Sequence, residues 1–326
     1  MIETILSFGL ALGVILLAQF GERKAWARWL TYLTLLAAGV LSLATGVVAL
    51  VHPEIMPKFN PEANGLGVAG MLVATGLLII LPVAAAMVFA RRKKAPTLRG
   101  IPWTRPVHLA AWTLLALFIG SNFAVAVLEN IADIEIDHPL TLILIQNSAF
   151  ALAALLGVGW GVRRSWREAV HRLGLSRPTS GQIFTGIGMA LAMLISTGII
   201  GALVTLIFGE DMSASSGFNE QIIRQLPGAG GVLLMGLATG IGEEMLYRGA
   251  LQPVAGIWIT SFLFAISHIQ YLSPAIIVIF VLGLFLGYTR NKWGLTTAIW
   301  THAVYNSLVG LFALLAMNLD HLSLGM

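Results

Sequence analysis

Six polar residues stand inside apolar stretches of the last third of the sequence: Glu243, Glu244 and Arg248 in Gly242-Glu-Glu-Met-Leu-Tyr-Arg248, His268 in Phe264-Ala-Ile-Ser-His268, and His302 with Asn306 in His302-Ala-Val-Tyr-Asn306. A charge inside an apolar span costs several kcal/mol, so an intramembrane carboxylate is by default a functional residue. Glu244 and Arg248 are four apart and can neutralise each other on one helical face. Glu243 lies about 100° further round the helix and needs a different partner. His302 and Asn306 are also four apart, so one face presents an imidazole and an amide together. A carboxylate in a low-dielectric layer can act as general base on a water, with an aligned histidine sharing the proton. A second histidine and an amide suit the oxyanion formed when water attacks a peptide carbonyl. The set therefore points to peptide-bond hydrolysis inside a membrane. No serine lies in a G-x-S-x-G context, no H-E-x-x-H occurs, and the absence of cysteine excludes a thiol nucleophile, a thiolate metal site and a disulfide framework.

The elements that must position these residues are membrane helices. Of the 326 residues, 57% are hydrophobic and only 10% charged, against roughly 25% charged in a soluble domain. The apolar residues come in runs long enough to cross a hydrocarbon core about 30 Å thick. Ten spans are expected, at about 2–20, 29–51, 66–90, 107–128, 139–162, 181–208, 228–250, 255–271, 274–290 and 294–317, forming an all-α polytopic bundle. With about 1.5 Å of rise per residue, Glu243, His268, His302 and Asn306 fall into one layer, roughly 12–20 Å below one surface.

The connectors alternate in charge. Arg23, Lys24 and Arg28, then Arg91, Arg92, Lys93, Lys94, Arg99 and Arg105, then Arg163, Arg164, Arg167, Arg172 and Arg177, and finally Arg248, Arg290 and Lys292 fall on one side; only Lys58 and Arg224 lie opposite. Positive-inside topology places the first set in the cytoplasm and both termini outside. It also accounts for the net charge of +4 without nucleic acid. The start, Met1-Ile2-Glu3-Thr4, lacks the basic region of a cleavable signal peptide, so the first run is expected to be retained. The acidic connectors, with Glu129, Asp133, Glu135 and Asp137 and with Glu210, Asp211 and Glu220, read as solvated outer loops. Residues 163–180, containing RRSWREAVHRLGL, read as a cytoplasmic interfacial helix. It separates an N-terminal five-span region, 1–162, from a C-terminal five-span bundle, 181–326, that carries the motifs at 243–306. Two small-xxx-small patterns, Gly236 to Gly240 and Gly283 to Gly287, flank the polar residues and predict close backbone approach there.

The three motifs, E-E-x-x-x-R, F-x-x-x-H and H-x-x-x-N on separate membrane helices, resemble the CPBP family (also called ABI): CAAX prenyl endopeptidases and bacteriocin-processing proteins, including the eukaryotic Ras-converting enzyme. All three are complete here, and the resemblance covers about residues 227–318. It implies that Glu243 with His268 activates water, that His302 and Asn306 form the oxyanion site, and that Glu244, Arg248 and Phe264 support the geometry. Glutamate and histidine are also zinc ligands, and Glu243, His268 and His302 would leave a zinc ion one open position. The metal-free glutamate mechanism is the preferred reading, with no cofactor expected. The implied substrate is a peptide or protein in the membrane: a prenylated C-terminus, a leader peptide or a membrane-bound regulator.

Two other classes stay open at this point. One is a non-catalytic scaffold or immunity factor of the same fold; the other is a proton-coupled transporter relaying protons through Glu243 and the histidines. His52, His108, His138, His171 and His321 are assigned to interfaces or loops without a role. The short loops and the lack of organelle targeting point to a prokaryotic plasma membrane.

Overall fold

The computed structural model describes residues 2–52, 65–90, 97–98, 101–128, 136–209, 213–268 and 274–324. The basic residues Arg91, Arg92, Lys93, Lys94 and Arg99, the opposite Lys58, and the acidic Glu129, Asp133, Glu135, Glu210 and Asp211 lie outside them.

The chain is an all-α polytopic bundle. Its helices are α1 (Ile2–Gly21), α2 (Ala25–Val51), α3 (Gly65–Phe89), α4 (Pro106–Leu128), α5 (Pro139–Gly157), α6 (Trp166–Leu173), α7 (Ser180–Phe208), α8 (Ser213–Arg224), α9 (Gly228–Glu243), α10 (Gln252–Ala255), α11 (Ile257–Ile266), α12 (Ile276–Trp293) and α13 (Leu295–Leu324). A π-helical segment, Glu244–Leu251, joins α9 to α10. A two-residue antiparallel pair, β1 (Thr97–Leu98) with β2 (Ile101–Pro102), precedes α4.

Nine helices among the described residues are long and apolar enough to cross a membrane, with α9, the π segment and α10 counting as one run, Gly228–Ala255. The span expected at 255–271 is instead the ten-residue α11, about 15 Å long and too short to cross alone. It pairs antiparallel with α12: a Cβ on Gly283 would sit 3.0 Å from Ser261 Cβ, and one on Gly287 would sit 2.7 Å from Ile257 Cγ1.

Two compact units divide the chain. One comprises Leu6–Ile134 and Gly159–Arg163. Its core is Ala18, Tyr32, Leu35, Ile79, Val83, Ala86, Leu109 and Ala110. Tyr32 donates its hydroxyl to the Thr104 carbonyl at 2.9 Å, and Arg105 Nε donates to Glu22 Oε2 at 2.7 Å. These bonds satisfy polar groups that lipid cannot.

The other unit comprises Met1–Ile5, Glu135–Val158 and Arg164–Met326, so α5 belongs with the C-terminal helices rather than with a five-span N-terminal region ending at 162. The cause is local. Gly242 on α9 has no side chain, and a Cβ there would meet the Asn147 carbonyl oxygen at 2.5 Å, so α5 lies directly on the helix that carries Glu243. On its other side α9 runs antiparallel to α13, where a Cβ on Gly240 would come within 2.8 Å of Ala303 N. The small residues thus hold α9 and α13 at backbone contact in the register that opposes residues 239–244 to residues 302–306.

Candidate active site

The π segment begins at Glu244 and gives way to α10, whose second residue is Pro253. Proline has no N–H for the Gly249 carbonyl and its ring crowds that carbonyl, so the α-helical ladder cannot run through this point. The Gln252 N–H bonds instead to the Tyr247 carbonyl, five residues back. Such widened turns are frequent at functional sites. The segment is also among the most enclosed in the molecule, since Glu244 and Arg248 are both 0% exposed.

Arg248 ties three helices together from this position. Its Nε lies 3.5 Å from Glu244 Oε2, close enough for charge compensation and longer than a good hydrogen bond. One terminal nitrogen donates to the Gly283 carbonyl of α12 at 3.2 Å, and the guanidinium stacks 4.3 Å over the Phe264 ring of α11, a cation–π contact that desolvation strengthens. Phe264 in turn packs against both imidazoles, with ring centroids 4.6 Å from His268 and 6.1 Å from His302.

The carboxylate of Glu244 has a second partner: His302 Nδ1 lies 2.9 Å from Glu244 Oε1. A carboxylate only accepts, so Nδ1 carries the hydrogen and Nε2 is left with its lone pair in the neutral ring. His268 is fixed in the same way, because its Nδ1 lies 2.8 Å from the Phe264 carbonyl oxygen. Both Nε2 atoms then face Glu243, at 3.9 Å from Oε2 for His268 and 4.0 Å for His302. Glu243 is 8% exposed, and its Oε2 makes no hydrogen bond among the described residues.

The separations decide what can sit between these atoms. They are too long for direct hydrogen bonds, whereas two bonds of about 2.8 Å meeting at about 90° on one water oxygen span about 4 Å. Tetrahedral zinc holds its donors at about 2.0–2.2 Å, which sets them about 3.4 Å apart. The set Glu243, His268 and His302 is wider than that, and no group of three His, Asp or Glu among the described residues is placed to hold a metal ion. As arranged, these donors do not fit a zinc ion.

Glu243, Glu244, Arg248, Phe264, His268 and His302 are thus brought together, as the motifs require. Asn306 stands one turn from His302, and its Nδ2 donates to Thr239 Oγ1 at 2.9 Å. Thr239 spends its own hydroxyl hydrogen on the carbonyls of Met235 and Gly236, at 3.0 and 3.1 Å, so its lone pair is free to fix the amide. Reading the sequence alone missed Thr239, although it lies four residues before Glu243 and so shares its face. It also missed Tyr247, whose hydroxyl donates to Ser267 Oγ at 2.9 Å beside His268.

Part of the chain matches a known protein family. Residues 226–308 match the Rce1-like family model, described as type II CAAX prenyl endopeptidase Rce1-like. The uncharacterized protein YpbD of Bacillus subtilis (strain 168) is 30% identical over 124 residues, covering 36% of this chain and 62% of YpbD, so the chain spans less than two thirds of that relative. No solved structure matches the chain. Residues 226–308, which carry Glu243, His268 and His302, are thus similar to the Rce1-like, type II CAAX prenyl endopeptidase family.

Proposed function

We propose that this protein is an intramembrane endopeptidase in which Glu243 activates a water for attack on a peptide bond. The observation that carries this reading is the convergence of two imidazole Nε2 atoms, both oriented by bonds at Nδ1, on one buried oxygen of Glu243. All three atoms accept hydrogen bonds, so a water among them donates both hydrogens and turns its lone pairs outward, toward a substrate carbonyl.

In the proposed sequence Glu243 takes a proton as the water oxygen bonds to the carbonyl carbon. The resulting oxyanion needs N–H donors. Asn306 has two amide hydrogens, of which one is held by Thr239, and the other is available to it. His302, held at Nδ1 by Glu244, keeps its Nε2 turned to the water beside Glu243. The C–N bond then breaks as the leaving nitrogen receives the proton from Glu243. His268 orients the water, and Arg248 with Phe264 holds both imidazoles in place. No step is routed through a metal.

The proposed substrate is a peptide segment of a membrane-associated protein, with prenylated C-terminal peptides as the first probe because of the family match. We further propose that both termini face the outside of a prokaryotic plasma membrane, which requires α11 and the segment after it together to return the chain to the outer side before α12. The test is incubation of the purified protein, in proteoliposomes, with a farnesylated peptide and with a set of transmembrane peptides, followed by mass spectrometry of the products. Cleavage at defined bonds supports the enzyme; intact peptides together with substrate-dependent proton flux would turn the reading to a transporter. Intact peptides without flux would turn it to a scaffold.

A further inference from the structure

The α6 connector carries a second concentration of charge that the proteolytic site does not use. Arg164, Arg167, Glu168, His171 and Arg172 line an open cup of about 620 Å³, a size typical of small-molecule sites. Arg167, Glu168, His171 and Arg172 lie along one stripe of α6, and Arg164 precedes its N-cap Ser165. The opposite side of α6, Ala169 and Leu173, is buried at 0% exposed, with Leu173 Cδ2 3.1 Å from where a Cβ on Gly249 would lie. The bundle thus fixes which way the stripe points.

The acid in the cup does not neutralise it. Glu168 is committed to the capping box of α6, accepting from the Ser165 N–H and hydroxyl at 2.8 Å each. Those bonds hold its carboxyl below the usual range, with Arg164 contributing only after them. Arginine ion pairs among the described residues involve Arg105, Arg224 and Arg248, and none involves Arg164, Arg167 or Arg172. Arg164 is anchored by donating to the Val158 carbonyl. Burial, then repulsion from Arg164 and from Arg290 at the end of α12, lowers the Arg172 guanidinium from its ordinary range. Three arginines against the single carboxylate of Glu168 leave the cup with a net positive charge.

We infer that this cup binds the phosphate group of an anionic phospholipid, with Arg167 and Arg172 as charge-assisted donors and Arg164 as the fixed wall. Arginine forks match phosphate oxygens in geometry as well as charge. A lipid is favoured over a free phosphate because α6 connects two spans, α5 and α7, and presents an exposed Trp166 beside the cup. That places the stripe at the membrane surface, where lipid phosphates are concentrated.

The test is native mass spectrometry of the purified full chain in detergent, titrated separately with phosphatidylglycerol, phosphatidylcholine and inorganic phosphate. Phosphatidylglycerol is expected to bind about tenfold or more tightly than phosphatidylcholine. Each arginine replaced lowers that affinity about fivefold, so Arg167→Gln with Arg172→Gln lowers it about 25-fold, while Lys at both positions keeps most of it. If the double variant does not fold, Arg167→Gln alone, at an exposed position, is expected to show the fivefold loss. Equal binding of the two lipids, undiminished binding by the Gln variants, or displacement by inorganic phosphate at equal concentration would overturn the inference.

Discussion

His302 and Glu244, 58 residues apart in sequence, meet at 2.9 Å through Nδ1 and Oε1, so the imidazole is held by one glutamate while its other nitrogen faces the glutamate next to it in sequence, Glu243. Two consecutive acids thereby take different tasks. One is a buried brace shared with Arg248; the other keeps an oxygen without a hydrogen bond among the described residues, turned to the proposed water position.

The brace predicts an asymmetric stability response. Glu244→Gln and His302→Ala each leave a buried polar partner unmatched and should cost about 1–3 kcal/mol. Glu244→Gln should cost the more, because it also strands Arg248. The double variant should be destabilised by less than the sum, measured by unfolding in mixed micelles. Strict additivity would show that the two side chains do not depend on each other.

Thr239 is a positioning residue for Asn306, and kinetics can separate that role from a packing role. In the proposed mechanism Asn306→Ala removes an oxyanion donor and should lower kcat about 10²–10³-fold. Thr239→Val leaves the amide present and unfixed, so a smaller fall in kcat, about tenfold, is expected with KM nearly unchanged. Thr239→Ser should restore the rate. Equal effects of Val and Ser would mean that the hydroxyl does not matter.

The metal-free reading predicts that protein purified in strong chelator, and shown by elemental analysis to lack zinc, cleaves at the rate of untreated protein. Loss of activity on chelation, restored by stoichiometric zinc, would require the donors of Glu243, His268 and His302 to close by about half an ångström onto an ion.

Much of this was legible in the sequence because its causes are local. Apolar runs of sufficient length mark spans, and three motifs at helical spacing mark the polar layer. What was not legible depends on pairing between distant segments. Sequence spacing assigned Glu244 to Arg248 alone; the second bond to His302 follows from the antiparallel register that Gly236 and Gly240 permit between α9 and α13. The same register opposes Thr239 to Asn306. A threonine in a membrane helix is usually satisfied by its own backbone, so nothing local singled it out. The placement of α5 with the C-terminal unit was hidden for a similar reason: an apolar span does not announce its neighbour, and Asn147 meets Gly242 only in the folded chain. The shortness of α11 was masked because no Asp, Glu, Lys or Arg occurs between Arg248 and Arg290 to mark its end.

The absence of native cysteine makes topology directly measurable. Single cysteines at Lys24, Thr97 and Lys292 should label from the cytoplasmic side and one at Asp137 from the outer side, each with an impermeant maleimide in intact cells. Thr97 and Asp137 flank α4, so labelling of both from the same side would contradict the arrangement with both termini outside.

The most direct measurement is single-turnover cleavage of a bound membrane peptide by wild-type protein and by Glu243→Gln, with melting temperature recorded alongside. Glutamine keeps the size of the side chain and removes its basicity. Glu243→Gln should remain folded and cleave about 10²–10⁴-fold more slowly; cleavage by the folded variant at the wild-type rate would contradict the assignment of Glu243 as the base.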